Sequence, residues 1–462
     1  MASLDARTAA LQVLGDLREG RQTARNSLDA LIAANELTSR DVGLTRELVF
    51  GVVRHRLTLA AVLSHFTRDK WRDVAQPLQN VLMLGAYQII WLDAVPVFAA
   101  VNEAVNQAKR IGGAGPGRFV NGVLRELDRK IEQRRIPAHQ ADPIRAIPID
   151  LQTCCQLSVP ILPDPDRRLI EHLSQAMSQP SWLVSRWIDA YGPAATRRIC
   201  LAGILRPPIF VRSNRSKTTV DKLMQQLADE GFEPQLAADG ESIMLGHAAS
   251  LTRSPLLTKG FFQPQDPIAA LPVRHMNLQP GQVGLDLCAG LGTKATQAAE
   301  KVGPTGTIIA TDIDDAKLAV LATAAEHCDA KVETVAMAEV PARIARLDRL
   351  DWILIDAPCS NTGVLARRPE IRYRLAAKTL GQLADTQLSL LEQAADLAQP
   401  QTRLLYSTCS IDPEENEQVS TRFVQSRPDW QYCEGRLTLP NPGPEPRDWH
   451  DGGYFATFVR KA

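Results

Sequence analysis

The sequence has no Cys-x-x-Cys pair and no cluster among its eight histidines, which argues against both a zinc site and a disulfide framework. It has no charge excess either: 52 lysines and arginines balance 52 aspartates and glutamates, so nothing in the net charge announces a polyanionic partner, and only a local basic face could serve one. A secretory signal is missing from the start, MASLDARTAALQVL. The longest apolar run, VLMLGAYQIIWLDAVPVFAAV at 81–101, is interrupted by Gln88, Asp93 and Pro96 and reads as two buried helices flanking a turn. These absences lead to the expectation of a soluble, cytoplasmic chain with no metal, no membrane span and no disulfides. Of the eight cysteines, Cys154, Cys155, Cys200, Cys328 and Cys433 are expected to be small buried hydrophobes.

What is present is 45% hydrophobic residue content over 462 positions, enough for several domains. From 4 to about 133, apolar residues recur three and four apart, predicting a compact helical domain at 1–135. Six prolines between 137 and 165 predict a linker at 136–165. Mixed helix and strand signals then predict a small α+β unit at 166–255. From 256 to 462, short apolar runs alternate with helical segments, which specifies an α/β domain with a parallel sheet covered on both faces.

Ligands of such sheets sit beyond the carboxyl ends of the strands. The first candidate is DLCAGLGTK at 286–294, which leaves a strand and enters a helix, with Gly290 and Gly292 permitting a tight turn. Its spacing is too short for a dinucleotide fingerprint, which favours a mononucleoside cofactor such as S-adenosylmethionine. Asp312, at the end of the second strand, either accepts hydrogen bonds from ribose hydroxyls or caps the helix that begins DDAKLAV.

Two further loops, DAPCSNTG at 356–363 and YSTCSIDPEENE from Tyr406, open on the same edge if the first strand neighbours the fourth and the fifth lies beyond it. Cys359 and Cys409 then meet beside the cofactor. The chemistry that calls for two thiols there is methylation of a pyrimidine on carbon 5, which is not nucleophilic by itself. A thiolate adding to carbon 6 makes carbon 5 attack a methyl group, and the adduct must then lose the carbon-5 proton and eliminate sulfur. One cysteine can be the nucleophile while the other assists release. Asp356 is placed to hold the cytosine edge and to position the reactants.

DAPCSNTGVLARRPEIR and LLYSTCSIDPEENE resemble the paired signature loops of the RNA 5-methylcytosine methyltransferases of the NOL/NOP/Sun family. QPQD at 263–266 and the terminal DGGYFATFVRK are similar to further landmarks of that family, and the segment 4–133 is similar to the NusB-like RNA-binding domain found ahead of this catalytic unit in the bacterial Sun/RsmB branch. The resemblance implies a Rossmann-like domain with a mostly parallel seven-stranded sheet. It also implies S-adenosylmethionine as cofactor, Cys409 as nucleophile, Cys359 in product release, and small-subunit (16S) ribosomal RNA as substrate of a monomeric enzyme. The cofactor loop by this resemblance is Cys288, Ala289, Gly290, Leu291, Gly292, Thr293 and Lys294, with Asp312, Asp356 and Glu339, the last standing where the family usually has aspartate and either taking the adenine side or capping a turn. It departs from the family's CAAPGGKT in having Leu291, Thr293 and Ala295 in place of proline, glycine and threonine.

ARRPEIRYRLAAK places Arg367, Arg368 and Arg372 close together, and arginine forks match phosphate oxygens, so these are the expected RNA contacts. Two readings from the same fold stand beside this one: methylation of transfer RNA, which the NusB-like segment disfavours, and an RNA-binding assembly factor with a weakened cofactor loop. A thiol hydrolase is disfavoured because neither cysteine loop holds a histidine partner.

Overall fold

The computed structural model describes residues 4–18, 23–35, 37–68, 70–246 and 251–461, and the chain divides into two compact units. No helix among the described residues is long and apolar enough to cross a membrane.

The first unit comprises residues 1–205 together with 365–374. Seven helices between Ala6 and Lys130 bury one core, with Gln76–Trp91 at its centre, hidden from Gln79 to Ile90. The apolar run at 81–101 is the end of this helix, a turn, and the start of Val97–Gly112. Gly113, with φ +78°, separates that helix from Ala114–Lys130. In the latter, Val120, Val123 and Leu124 are core residues.

The expected linker is not one. Ile131–Pro137, Ala146–Pro148 and Thr153–Leu157 form a three-stranded antiparallel sheet with the last strand in the middle. Its prolines misled because Pro137 and Pro148 end the two outer strands, where a missing N–H costs little, while the central TCCQL has none. Cys154 and Cys155 are buried there, as are Cys200 and Cys328 elsewhere, but Cys433 is exposed, contrary to expectation. Helices Leu169–Ala176 and Ser181–Ile204, the second kinked at Gly192, complete this unit.

The second unit holds 206–364 and 375–462. The small α+β portion, expected from 166, has its strands in this unit from Ile209 onward, while 166–205 groups with the first unit. It also extends further, because Phe262–Pro264 adds a fourth strand beside Ile209–Ser213, Ser242–Leu245 and Pro234–Leu236. The QPQD segment is where this sheet meets the large domain: buried Arg212 donates to Gln263, Gln265 and Glu300, and Gln265 donates to Gln297.

The large domain is built on β1 (Val283–Asp286), β2 (Thr307–Ala310), β3 (Val332–Thr334), β4 (Trp352–Asp356), β5 (Arg403–Thr408), β6 (Trp430–Thr438) and β7 (Gly453–Arg460). Their order is β3-β2-β1-β4-β5-β7-β6, parallel except for β7, which runs antiparallel to both its neighbours. Helix α1 (Thr293–Val302) follows β1, α2 (Asp315–His327) follows β2, α3 (Ala377–Leu397) precedes β5 and α4 (Glu417–Ser426) follows it. Buried residues on the two faces of the sheet, such as Ile353 and Ile355 on one and Trp352 and Leu354 on the other, pack into two separate clusters. That two-sided burial is why the strands read as continuous apolar runs.

Candidate active site

The sheet order puts β1 beside β4, with β5 next, so three loops emerge from adjacent strand ends. The first is the glycine turn. Gly290 and Gly292 have φ of +55° and +84°, the left-handed region that glycine enters at no steric cost. A Cβ on Gly292 would lie 2.5 Å from Leu321, so this glycine is fixed by packing as well as by its backbone. The amide of Gly290 donates to Asp312 Oδ2 at 3.0 Å, which ties the turn to the end of β2. The cap of α2 is Asp314, so Asp312 is not spent on that task. Glu339 lies exposed just beyond β3.

Leu291 and Ile313, 57% and 88% exposed, flank this edge as large apolar side chains left in solvent. An edge with acids at the strand ends and bare apolar side chains between them fits a nucleoside, whose ribose offers hydroxyls and whose base offers a flat apolar face. Ile313 gave no signal in sequence because an isoleucine in a strand-to-helix connection is unremarkable until its exposure is known.

The other two loops carry the thiols. Cys359 Sγ and Cys409 Sγ lie 3.2 Å apart, and Cys409 Sγ is also 3.2 Å from Asn361 Oδ1. Asn361 holds φ +59° and donates to the Cys359 carbonyl at 2.7 Å, closing the first loop on itself. Gly363 N donates to the Cys409 carbonyl at 2.9 Å, and a side chain on Gly363 would collide with the Gly452 carbonyl. Behind both loops stands Glu415, which is fully buried. Its carboxylate accepts from the Ser360 amide and hydroxyl, from Ser410 Oγ at 2.6 Å and from Gln387 Nε2 at 3.0 Å. Burial pushes the Glu415 carboxyl up and these hydrogen bonds pull it back. Glu415 thus fastens one cysteine loop to the other, a role sequence reasoning missed although PEENE is its address.

Lys294, from α1, reaches across to β4 and donates to Asp356 Oδ2 at 2.6 Å, while Ser407 Oγ donates to Asp356 Oδ1 at 2.8 Å. Burial opposes the Lys294 charge, but Asp356 outweighs it, so the ammonium is held above the usual lysine range, with Cys409 close enough to add to the effect. The Cys359 thiol is held well up by its contact with Cys409 and by burial. Burial likewise holds Cys288 up as a neutral thiol. Lys294, Asp356, Ser407 and Cys409 line one cleft of about 440 Å³ including its mouth.

Arg372 departs from expectation. It is fully buried inside the first unit, where its guanidinium donates to the carbonyls of Pro369, Ser178, Gly203 and Leu365, so it is not a surface phosphate contact. Arg367 is half-buried and Arg368 exposed in the same inserted segment.

Asp286, at the end of β1, is buried with neither carboxylate oxygen in a well-formed hydrogen bond. Burial, and next the Asp356 charge, push its carboxyl up to about 7, with Lys294 opposing. A carboxyl raised in the folded state keeps a proton that the unfolded chain gives up, so stability falls as pH rises from about 4 to about 7. Asp286→Asn removes that loss. The cofactor-free variant is expected to exceed wild type in stability by about 2–4 kcal/mol near pH 7.5 and by much less near pH 4.5, read from urea midpoints. A difference independent of pH would exclude this account.

Among family models, residues 273–442 match 16S rRNA methyltransferase RsmB/F, 4–129 match the NusB family and 179–252 match a ferredoxin-like domain of RsmF/B-like methyltransferases. The probable ribosomal RNA small subunit methyltransferase B of Bacillus subtilis (strain 168) is 31% identical over 93% of this chain and 90% of its own. The ribosomal RNA small subunit methyltransferase B of Klebsiella pneumoniae (strain 342) is 27% identical over 99% of each. The crystal structure of PH0851 shares the fold over 98% of both chains with a TM-score of 0.73 at 19% identity. That of NSun6 from Pyrococcus horikoshii covers 61% of this chain and 98% of its own with a TM-score of 0.53, also at 19% identity. The cofactor is S-adenosylmethionine. With sheet order, thiol pair and near full-length similarity in agreement, the chain belongs to the RsmB/F methyltransferase family.

Proposed function

We propose that this protein methylates carbon 5 of a cytosine in small-subunit ribosomal RNA through a covalent adduct between Cys409 and the base. The observation that carries the reading is the pair of thiols at 3.2 Å, in loops that share a buried carboxylate, with Cys409 in one cleft with the Lys294 and Asp356 pair. The ribosomal substrate is taken from the names of the relatives.

S-adenosylmethionine, when bound, supplies the electrophilic methyl group. Asp312 and Glu339 take its nucleoside side, with Ile313 and Leu291 against the base, while Asp356 stands between cofactor and substrate. The target cytosine must leave its stack to enter the cleft. Cys409 Sγ adds to carbon 6 of the ring, with the Lys294 ammonium in the same cleft and the Cys359 thiol 3.2 Å away. Asp356 accepts from the exocyclic amino edge, and Lys294 offsets negative charge that builds on the ring as the thiolate adds. Once carbon 5 has been methylated, its proton is lost to a base, the ring double bond re-forms and the carbon–sulfur bond breaks. Cys359, held protonated, donates a hydrogen bond to the departing Cys409 sulfur. Arg367 and Arg368 are retained as RNA contacts in this reading.

The test is product analysis. With labelled S-adenosylmethionine and unmethylated small-subunit ribosomal RNA, nucleoside digestion is expected to place the label in 5-methylcytidine. Label in an N-methylated base or in a ribose would overturn the proposal.

A further inference from the structure

The cleft beside Cys409 extends further than the proposed reaction needs. Besides the reacting end, it is lined by Phe455, Arg436 and Thr438, which lie on the two antiparallel strands. Strand register explains how they come to share one surface. Asp356 of β4 pairs with Ser407 of β5, Ser407 with Phe455 of β7, and Phe455 with Arg436 of β6. Residues in register on neighbouring strands point to the same face, so these four side chains form one row across the sheet, and all four line the cleft. Three strand spacings of about 4.8 Å separate the backbones at its ends by about 14 Å.

The row changes character along its length. It begins at a carboxylate held by Lys294 and Ser407, runs across Phe455, which is buried with its ring against His275, and ends at an exposed guanidinium on the edge strand. Two residues further along β6, Thr438 adds a hydroxyl to the same wall. The other carboxylates of the cleft, Asp266 and Asp451, are buried and turned to donors of their own: Asp266 to the amides of Ile268 and Asp451, Asp451 to the Trp449 indole. Arg436 has no carboxylate within ion-pair distance among the described residues.

A nucleotide presents a polar base edge at one end and a phosphate at the other, and the row sets a carboxylate and an exposed guanidinium at the matching ends of the cleft. We infer that Arg436, assisted by Thr438, binds a backbone phosphate of the RNA at the target nucleotide, so that the row from Asp356 to Arg436 measures one nucleotide from base edge to phosphate. Arginine suits the task because its fork matches phosphate oxygens. Phosphate capture at the rim would hold the flipped base in the cleft while Cys409 reacts. The inference rests on the proposed RNA substrate.

The test separates the two. Proteins carrying Cys409→Ala, so that no adduct forms, are titrated with unmethylated small-subunit ribosomal RNA over a range of salt, with Arg436 intact, as Arg436→Gln and as Arg436→Lys. Arg436→Gln is expected to weaken binding roughly tenfold and to reduce the slope of log affinity against log salt by about 0.7, the share of one single-strand phosphate. Arg436→Lys keeps the slope, because the charge remains. Circular dichroism and thermal midpoints are expected to match across the set, since Arg436 is exposed. An unchanged slope in Arg436→Gln, with the parent binding RNA, overturns the phosphate site alone. A parent that binds no RNA overturns the substrate reading and the phosphate site together.

Discussion

Cys409→Ala is expected to reduce methyl transfer by about 10⁴-fold or more, while Cys359→Ala accumulates a covalent complex with RNA that survives denaturing electrophoresis. The asymmetry follows from placement. Cys409 lines the cleft with Lys294 and Asp356, whereas Cys359 is not among the residues that line it. Without the Cys409 sulfur, carbon 5 has no means of becoming nucleophilic. Without Cys359, addition and methylation proceed but departure slows, so the complex builds up in the presence of S-adenosylmethionine. If the two phenotypes were exchanged, with the adduct forming through Cys359, the roles assigned here would be reversed. If neither variant lost activity, the thiols would be structural.

The second large effect concerns stability. Arg372→Met is expected to lower the unfolding free energy of the first unit by about 3–5 kcal/mol, read from the urea dependence of circular dichroism. Four carbonyls converge on this guanidinium, those of Gly203 at 2.6 Å, Leu365 and Pro369 at 3.0 Å and Ser178 at 3.1 Å. Methionine fills the volume but takes this donor from all four carbonyls, leaving only the Tyr373 hydroxyl at 3.5 Å to that of Ser178, and each orphaned buried acceptor costs about 1–3 kcal/mol, partly offset because a costly buried charge is also removed. Arg372→Lys recovers little, since one ammonium cannot span four acceptors in the plane of a fork. An Arg372→Met protein of unchanged stability but weakened RNA affinity would restore Arg372 to the surface role that the sequence suggests.

Much of the catalytic domain was legible because each signal was local. Period and length distinguish β4 and β5 from the helices between them, and the glycine turn and both thiol loops lie at strand ends that the apolar runs mark directly. What was not legible depends on contacts between distant segments. Glu415 looks like one acid in an acidic helix start until Ser360, from a loop 55 residues earlier, is seen donating to it. Arg372 sits in a basic stretch that composition assigns to the surface, and only the return of 365–374 into the helical unit buries it. The proline count at 136–165 measured chain stiffness and could not tell a spacer from outer strands that end in proline.

The placement of residues 365–374 also bears on how this protein could be recombined. The chain crosses the border between its units three times, after 205, after 364 and after 374, so no single cut divides it into modules. A chimera that takes 1–205 from one relative and the remainder from another would give the helical unit a foreign decapeptide in place of the one its carbonyls were shaped around. Exchange of that unit must carry the ten residues with it, and the two parts therefore inherit one another's changes more closely than a string of independent domains would.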